Sequence, residues 1–444
     1  MTLFGTDGIR GRYGESPLND SSIRKIGLAI SRSFNDNSIK KVYIAHDGRE
    51  SCESILRNLI IGICSDRSYE IIYLDLFPTP ALTYLLSEND LSDAIGIEIT
   101  ASHNPYHDNG IKIFDKSGYK IKIDQEVEIE NIVYEQIDIK NNTNPNISLN
   151  NLSRNIYIDF ISKLISKHAE TLHKLNIAVD SANGAMSNVI TAVKWPDNIS
   201  ITMFNNSPNG KNINQQCGAV HPEYLSSVIS KHNKNNDSNY IDFGVCLDGD
   251  GDRALIIDSS GNILDGDDLL YLFALHSKGN KRVVGTVMTN YGIRDGLEKE
   301  GFDFFETDVG DKNVLESILN YKAYIGAESS GHIIHTDIAR IPIGDGLVTM
   351  IKFIHLLLDA NKSIDEIYPI SLKIPSKLIN IDSSSQNDFL KKNQLMISKV
   401  EEKLNNDGRI FIRKSGTQSL IRILIEHKSI HVLNDAEKLI KSIK

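Results

Sequence analysis

Apolar positions along the chain fall into two alternating rhythms. The run SSIRKIGLAISRSF sets Ile23, Ile26, Ile30 and Phe34 on one side of a helix, behind Asp20 and Ser21 as candidate N-caps. KVYIAHDGRE then reads as a strand entering a turn, and Ser51 to Cys64 as a second helix. Ala94 to Thr100, AIGIEIT, is β-branched and mostly apolar, which predicts a buried strand. Turn chemistry follows at Asn104-Pro105 and Asp108-Asn109-Gly110. Repeated βα alternation predicts mostly parallel sheets with helices packed on them. An internal echo supports several related units. VYIAHDG, IAVDSANG and VCLDGDG each run an apolar strand into an aspartate and a small residue, at Asp47, Asp180 and Asp248. Their unequal spacing argues for related α/β domains and against a solenoid.

Polar interruptions suggest where the units divide. Lys140 to Asn155, KNNTNPNISLNNLSRN, reads as an asparagine-rich linker, and its N-x-S match at Asn146 as a product of that bias. A second division is expected at the loop of residues 248–253, and a third near Ile374-Pro375-Ser376. Beyond it, GRIFIRKSG, LIRILIE and a final helical stretch predict a small α+β domain. The expected units are therefore 1–150, 151–252, 253–370 and 371–444.

Composition narrows the function classes. A chain of 444 residues exceeds what one core organises. Its net charge of −10 disfavours nonspecific nucleic-acid binding, yet leaves room for a phosphorylated substrate where arginines and lysines converge. Cys52, Cys64, Cys217 and Cys246 lie far apart with no C-x-x-C pair, so reduced core thiols are expected. The start MTLFGTDGIRGRYGE carries Asp7 and no apolar core of a signal peptide. No apolar run approaches the roughly 18 residues of a membrane span. A cytoplasmic protein with neither nucleic-acid nor membrane partner is expected.

Chemistry gathers in a few short motifs. EITASHNPYHDNGIKIF presents Ser102 and His103 where a buried strand meets a loop, the place where open α/β sheets keep reactive groups. LDGDGDRA sets Asp248, Asp250 and Asp252 at alternate positions, which points three carboxylates one way if the segment is extended. Three such acids repel unless a cation lies between them, and oxygen-only ligands favour magnesium, manganese or calcium. An EF-hand is excluded, because Arg253 and Ser259 stand where its glycine and glutamate belong. RKSGTQSLIR joins Arg413 and Arg422 to two hydroxyls around Gly416, a composition suited to an anion but not a P-loop. IGAESSGH ends a strand in a glycine-bounded turn, with Glu328 and Ser330 expected to be exposed and suited to sugar hydroxyls.

Taken in this order, these stretches resemble the α-D-phosphohexomutase superfamily along the whole chain. LFGTDGIRG, SHNPYHDNGIK, VDSANGA and INQQCGAVHPEYL are similar to its glucosamine-phosphate branch rather than to its phosphomannomutase/phosphoglucomutase branch. The resemblance implies three related mixed α/β domains plus a C-terminal α+β phosphate-binding domain around a central cleft. It implies Ser102 as phosphate carrier, with Asp248, Asp250 and Asp252 as Mg²⁺ ligands and an oxygen on Ser102 as a further ligand. Arg10, His103, Lys112 and Arg253 would surround the transferring phosphoryl, with either Lys112 or His103 moving the proton. Glu328 and Ser330 would contact the sugar, and Arg413, Ser415, Gly416, Thr417 and Arg422 the non-reacting phosphate. The implied reaction interconverts glucosamine 6-phosphate and glucosamine 1-phosphate, with glucosamine or glucose 1,6-bisphosphate as intermediate or activator, and feeds UDP-N-acetylglucosamine. A homodimer is left open. Gln418, Ser419, Ser329 and Gly48 depart from the family's usual glutamate, proline, glutamine and threonine, which bears on loop stiffness and affinity.

Overall fold

The computed structural model describes residues 3–5, 7–34, 38–87, 91, 93–135, 139, 146–149, 151–167, 174–235, 239–277, 279–338, 341–368, 372–382, 389–414 and 420–442. The first sheet orders its strands Ile9–Arg12, Asp108–Phe114, Ala94–Ile99, Lys41–His46, Glu70–Leu76 and Asn146–Leu149. Its last four run parallel, while Asp108–Phe114 returns antiparallel beside Ala94–Ile99 and Ile9–Arg12 caps the edge. Every residue of Ala94–Ile99 is buried, as its mostly apolar composition predicts, and that includes the carboxylate of Glu98.

Helices Asp20–Ser33 and Cys52–Ile63 cover one face of that sheet, burying Ile23, Ile26 and Ile30 against Ile44 and Ile97. Their close crossing rests on glycine: a Cβ at Gly62 would lie 2.0 Å from Arg24 O, and one at Gly27 2.4 Å from Leu59 O. The first helix is capped by Asn19, which accepts from Ser22 N at 2.9 Å, and not by Asp20 or Ser21. Asp20 is engaged elsewhere, accepting from Tyr13 and Asn58.

The second sheet orders Ile263–Leu264, Ala254–Asp258, Phe243–Leu247, Leu175–Asp180 and Ile199–Phe204; the third Asp303–Thr307, Arg282–Thr286, Ile325–Ala327 and Ile333–His335. Each combines parallel strands with an antiparallel return, and in the second sheet Ile263–Leu264 adds a further antiparallel pairing at the edge. The second sheet therefore continues to Leu264, past the expected division at 252, because the 248–253 loop is the tip of a hairpin and not a connection between units. The expected linker also carries structure. Asn146–Leu149 is the exposed edge strand of the first sheet, parallel to Glu70–Tyr73, and Asn151–Ser166 is a helix. The strand is only four residues long, which suits an exposed edge.

The three sheets share one apolar core, from Tyr43, Leu74 and Leu82 through Val179 and Leu247 to Leu269 and Phe353. The C-terminal domain keeps its own. Its antiparallel sheet of Ser376–Asp382, Leu420–His427 and Gly408–Lys414 packs Ile421, Ile423 and Ile425 against Val400, Leu404, Leu433 and Ile440 of helices Phe389–Leu404 and Ile430–Lys441. Polar contacts join it to the third sheet's domain: Arg409 donates to Thr289 O at 2.5 Å, and Asn290 Nδ2 to Ile374 O at 3.0 Å. All four cysteines are free and buried. Among the described residues no helix is long and apolar enough to cross a membrane.

Candidate active site

Each motif occupies one topological position. Residues 100–107 join Ala94–Ile99 to its antiparallel return, residues 248–253 join Phe243–Leu247 to Ala254–Asp258, and residues 328–332 join Ile325–Ala327 to Ile333–His335. Gly408–Lys414 and Leu420–His427 form a fourth hairpin, whose tip holds Ser415, Gly416 and Thr417 and lies outside the described residues. The true repeat is thus strand, loop and returning strand. The echo at Asp47 and Asp180 marks other strand ends, since Lys41–His46 and Leu175–Asp180 have no antiparallel return.

Ser102 is buried and adopts φ 51°, a left-handed conformation rare for a side chain with a Cβ. Bonds from three directions hold it there. Its N–H donates to Thr100 Oγ1 at 2.8 Å, while its carbonyl accepts from Arg49 Nη2 at 3.0 Å and Asn214 Nδ2 at 2.8 Å. The hydroxyl donates to Asp248 Oδ2 at 2.7 Å and lies 3.4 Å from His103 Nδ1. Gly249 admits this approach, as a Cβ there would stand 2.6 Å from Ser102 O.

Asp248, Asp250 and Asp252 converge, each offering an oxygen within 4.8 Å of the others. The segment is a tight loop with Gly251 at φ 79°, so the convergence comes from the hairpin turn and not from the extended alternation expected. Asp250 Oδ1 and Asp252 Oδ1 are buried with no hydrogen-bond partner among the described residues. Burial, then the charges of Asp252 and Asp250, push the Asp248 carboxyl well above the usual carboxylate range. Lys112 Nζ meets Asp250 Oδ2 at 2.7 Å, Asp7 Oδ2 at 3.0 Å and Asp252 Oδ2 at 3.2 Å. Burial opposes its charge, but these carboxylates outweigh it and raise the lysine pKa well above its usual value. Thr79 Oγ1 donates to Asp250 Oδ2 at 2.7 Å, tying the first domain to the acidic loop.

Above this cluster lies a cleft of about 280 Å³ lined by Arg10, His103, Arg253, Glu328, Ser330 and Arg413, together with Asp7, Asp252, Gly310 and His332. Burial, followed by Arg253 and Arg10, pushes the His103 imidazole down to about 4. Arg253 Nε is 3.8 Å from both Asp248 and Asp252 and has no hydrogen-bond partner among the described residues. Glu328 is 9% exposed, contrary to the exposure expected, because its Oε2 turns inward to accept from Gly310 N at 3.0 Å. Ser330 is exposed. Arg413 lines the cleft, its Nε is buried with no hydrogen-bond partner among the described residues, and Arg422 is its partner across the strand pair. Burial and the neighbouring Arg422 charge lower the Arg413 pKa.

Several residues here escaped the sequence reading. Asp7 binds both Arg10, at 2.5 Å, and Lys112. Arg49 is 2% exposed and donates to four backbone carbonyls of the Ser102 loop. Asn214 reaches that loop from the second domain. Their motifs FGTDGIRG, AHDGRES and INQQCGAV were all visible, but nothing in their spacing links them to Ser102.

The chain is similar to known proteins along nearly its whole length. Family models for phosphoglucomutase/phosphomannomutase match at alpha/beta/alpha domain I over residues 1–139, alpha/beta/alpha domain III over 265–372 and the C-terminal domain over 378–438. The phosphoglucosamine mutase of Pseudoalteromonas translucida is 34% identical, covering 98% of this chain and 96% of that protein. That of Campylobacter fetus is 36% identical, covering 96% and 95%. A phosphoglucomutase/phosphomannomutase family protein from Burkholderia thailandensis superposes with TM-score 0.80 at 22% identity, over 99% and 96% of the two chains. The Aspergillus fumigatus N-acetylphosphoglucosamine mutase, solved with GlcNAc-6P and magnesium, has TM-score 0.65 at 16% identity, over 98% and 94%. With full-length relatives above 30% identity and three domain models matched in order, the chain belongs to the phosphoglucomutase/phosphomannomutase family, the α-D-phosphohexomutases.

Proposed function

We propose that the protein is an isomerase that interconverts glucosamine 6-phosphate and glucosamine 1-phosphate by phosphoryl transfer through Ser102. The observation that carries this reading is the Ser102 hydroxyl, held at 2.7 Å from Asp248 directly beneath a cleft to which several domains contribute. Full-length similarity to bacterial phosphoglucosamine mutases supports the choice of sugar. The product would enter UDP-N-acetylglucosamine synthesis.

Phosphoryl transfer is chiefly positioning and charge neutralisation. The phosphoryl group on Ser102 passes to the free hydroxyl of the bound monophosphate. The P–O bond to Ser102 breaks, a P–O bond to the sugar forms, and the hydroxyl proton goes to a base. The resulting 1,6-bisphosphate turns over in the cleft; its other phosphoryl returns to Ser102 and the proton to the freed sugar oxygen. Arg10 and Arg253 flank the transferring group with guanidinium charge. His103 and Lys112 remain the two candidate bases. His103 lines the cleft, whereas Lys112 is sealed among Asp7, Asp250 and Asp252. Glu328 and Ser330 would read sugar hydroxyls. Arg413, whose Nε has no partner among the described residues, would with Arg422 beside it grip the phosphate that is not reacting. Ser415, Gly416 and Thr417 would complete that grip.

The acidic triad fits a hard divalent cation such as Mg²⁺. Its donors are all carboxylate oxygens, they converge, and two are buried with no hydrogen-bond partner among the described residues. Such an ion, when bound, supplies positive charge to the phosphoryl oxygens. Coupled assays with the 6-phosphates of glucosamine, mannose and glucose test the proposal. The highest kcat/KM is expected for glucosamine 6-phosphate, and a preference for mannose or glucose would overturn the choice of sugar.

A further inference from the structure

Lys120 lies outside every motif considered above, yet it stands between the two halves of the cleft. Asp115–Tyr119 turns the chain back after strand Asp108–Phe114, and Lys120 then bridges to Phe114. Its side chain, 16% exposed, donates to Asp7 of the first domain and to Asp311 of the third. Burial opposes its charge, but Asp311 and Asp7 outweigh this and raise its pKa.

Each carboxylate leads further into the site. Asp7 also accepts from Arg10 at 2.5 Å and pairs with Lys112 at 3.0 Å, so one carboxylate orients two cations of the phosphoryl-transfer site. Asp311 opens helix Asp311–Tyr321 directly after Gly310, whose N–H holds Glu328 at 3.0 Å. Asp311 also stands 4.0 Å from His332, and the His332 carbonyl accepts from Glu328 N. An unbroken polar path therefore runs from Glu328 through Gly310–Asp311, Lys120 and Asp7 to Arg10 and Lys112. On the other side of Lys120 lies a cavity of about 600 Å³ between residues 118–124 and helix Asp311–Tyr321.

We propose that Lys120 is a positioning residue that couples the sugar-reading loop of the third domain to the phosphoryl-transfer groups of the first. The inference rests on the phosphoserine reading given above. A sugar that engages Glu328 and Ser330 fixes the Gly310–Asp311 backbone. Through Lys120 that fixes Asp7, and with it the aim of Arg10 and Lys112. Only a sugar engages Glu328, so transfer to a sugar hydroxyl depends on Lys120 more strongly than transfer to water does.

Lys312 supplies the control. It pairs with Glu126 and ties the same two domains together, but it touches neither Asp7 nor Glu328. The experiment loads Ser102 with labelled phosphate in the full-length enzyme and follows two losses of label: to water alone, and to added glucosamine 6-phosphate. K120M should slow transfer to the sugar by about tenfold or more, the scale of a small misplacement of reacting groups. Hydrolysis, and KM for the sugar phosphate, should each stay within about twofold of wild type by the same reasoning. K120R should restore most of the lost rate, and K312M should match wild type in both reactions. D311N, which keeps the Lys120–Asp7 pair, gives a milder version should K120M fold poorly. If K120M or D311N slows hydrolysis as much as transfer, or matches K312M, the coupling is wrong. A wild-type enzyme that never carries label on Ser102 would overturn the phosphoserine reading and this inference with it; a labelled wild type with unaffected K120M overturns the inference alone.

Discussion

Replacing Arg49 tests whether the Ser102 loop is held from beneath. The guanidinium donates to Asp47 Oδ2 at 2.8 Å and to the carbonyls of Ser102, Asn104, Pro105 and Asp108 at 3.0, 3.0, 2.5 and 2.9 Å. Arg49→Met leaves Asp47 buried with Thr100 Oγ1 and the weak thiol donor Cys52 as its remaining side-chain partners. Losing one member of a buried pair costs about 3–5 kcal/mol. The carbonyls lose less, because Asn214 still serves Ser102 and Asn104, and Asp108 N still serves Pro105. A total near 4–6 kcal/mol rivals the stability of a whole domain, about 5–15 kcal/mol. Arg49→Lys is therefore the informative variant. An ammonium keeps Asp47 and one carbonyl, for a loss of about 2–3 kcal/mol at roughly 1 kcal/mol per missing bond. With Ser102 free to leave φ 51°, a displacement near 1 Å lowers kcat by about 10²-fold, or about 2.7 kcal/mol of barrier. Arg49 does not line the cleft, so KM should change by less than about threefold. Steady-state kinetics beside calorimetric Tm values decide the matter. Arg49→Lys with kcat within about twofold of wild type would show that the loop does not need this clamp.

Chelation should abolish turnover and added Mg²⁺ restore it; Asp250→Asn should raise the Mg²⁺ concentration needed for half-maximal rate and lower kcat, as expected when a hard cation loses an anionic ligand. Arg413→Ala should raise KM for the sugar phosphate by about tenfold with a smaller change in kcat, the signature of lost phosphate binding, and an unchanged KM would remove Arg413 from the substrate. His335 is fully buried against Thr349 and Phe273, and burial followed by Lys352 holds its pKa well below the usual histidine value. The native state therefore keeps it neutral while the unfolded chain takes up a proton. Its share of stability is intact above about pH 6.5 and is lost as pH falls below it, by at most about 1.4 kcal/mol per pH unit. His335→Gln should flatten that acid slope in urea titrations, and an unchanged slope would contradict a buried neutral imidazole.

Periodicity carried the fold class because buried parallel strands such as Ala94–Ile99 are apolar at every position but Glu98, and covering helices repeat every three or four residues. It misjudged Lys140 to Asn155, where a four-residue edge strand, NISL, and the start of a helix lie within an asparagine-rich stretch. It also placed a division inside the Phe243–Asp258 hairpin, because an acidic glycine-rich tip looks the same whether it turns a hairpin or joins two domains. Ser102, the aspartates, Arg253 and Glu328 were legible since their chemistry lies within short loops. Asp7, Arg49, Asn214 and Lys120 were not, because each acts on residues distant in sequence through a contact that only the packing of separate loops creates. Glu328 looked exposed from its turn setting; the Gly310 N–H that draws it inward comes from another segment.

On the proposed function, Ser102 carries phosphate and gives it to the sugar. Mass spectrometry on the purified enzyme, intact and after proteolysis, addresses it directly, before and after brief mixing with one equivalent of glucosamine 6-phosphate. One phosphoryl group should sit on the peptide containing Ser102, fall in occupancy on mixing as bisphosphate appears in solution, and be absent from Ser102→Ala, which should also lack turnover. Full turnover by an enzyme with no phosphate on Ser102, or by Ser102→Ala at a tenth or more of the wild-type kcat, a barrier change of only about 1.4 kcal/mol, would contradict the account.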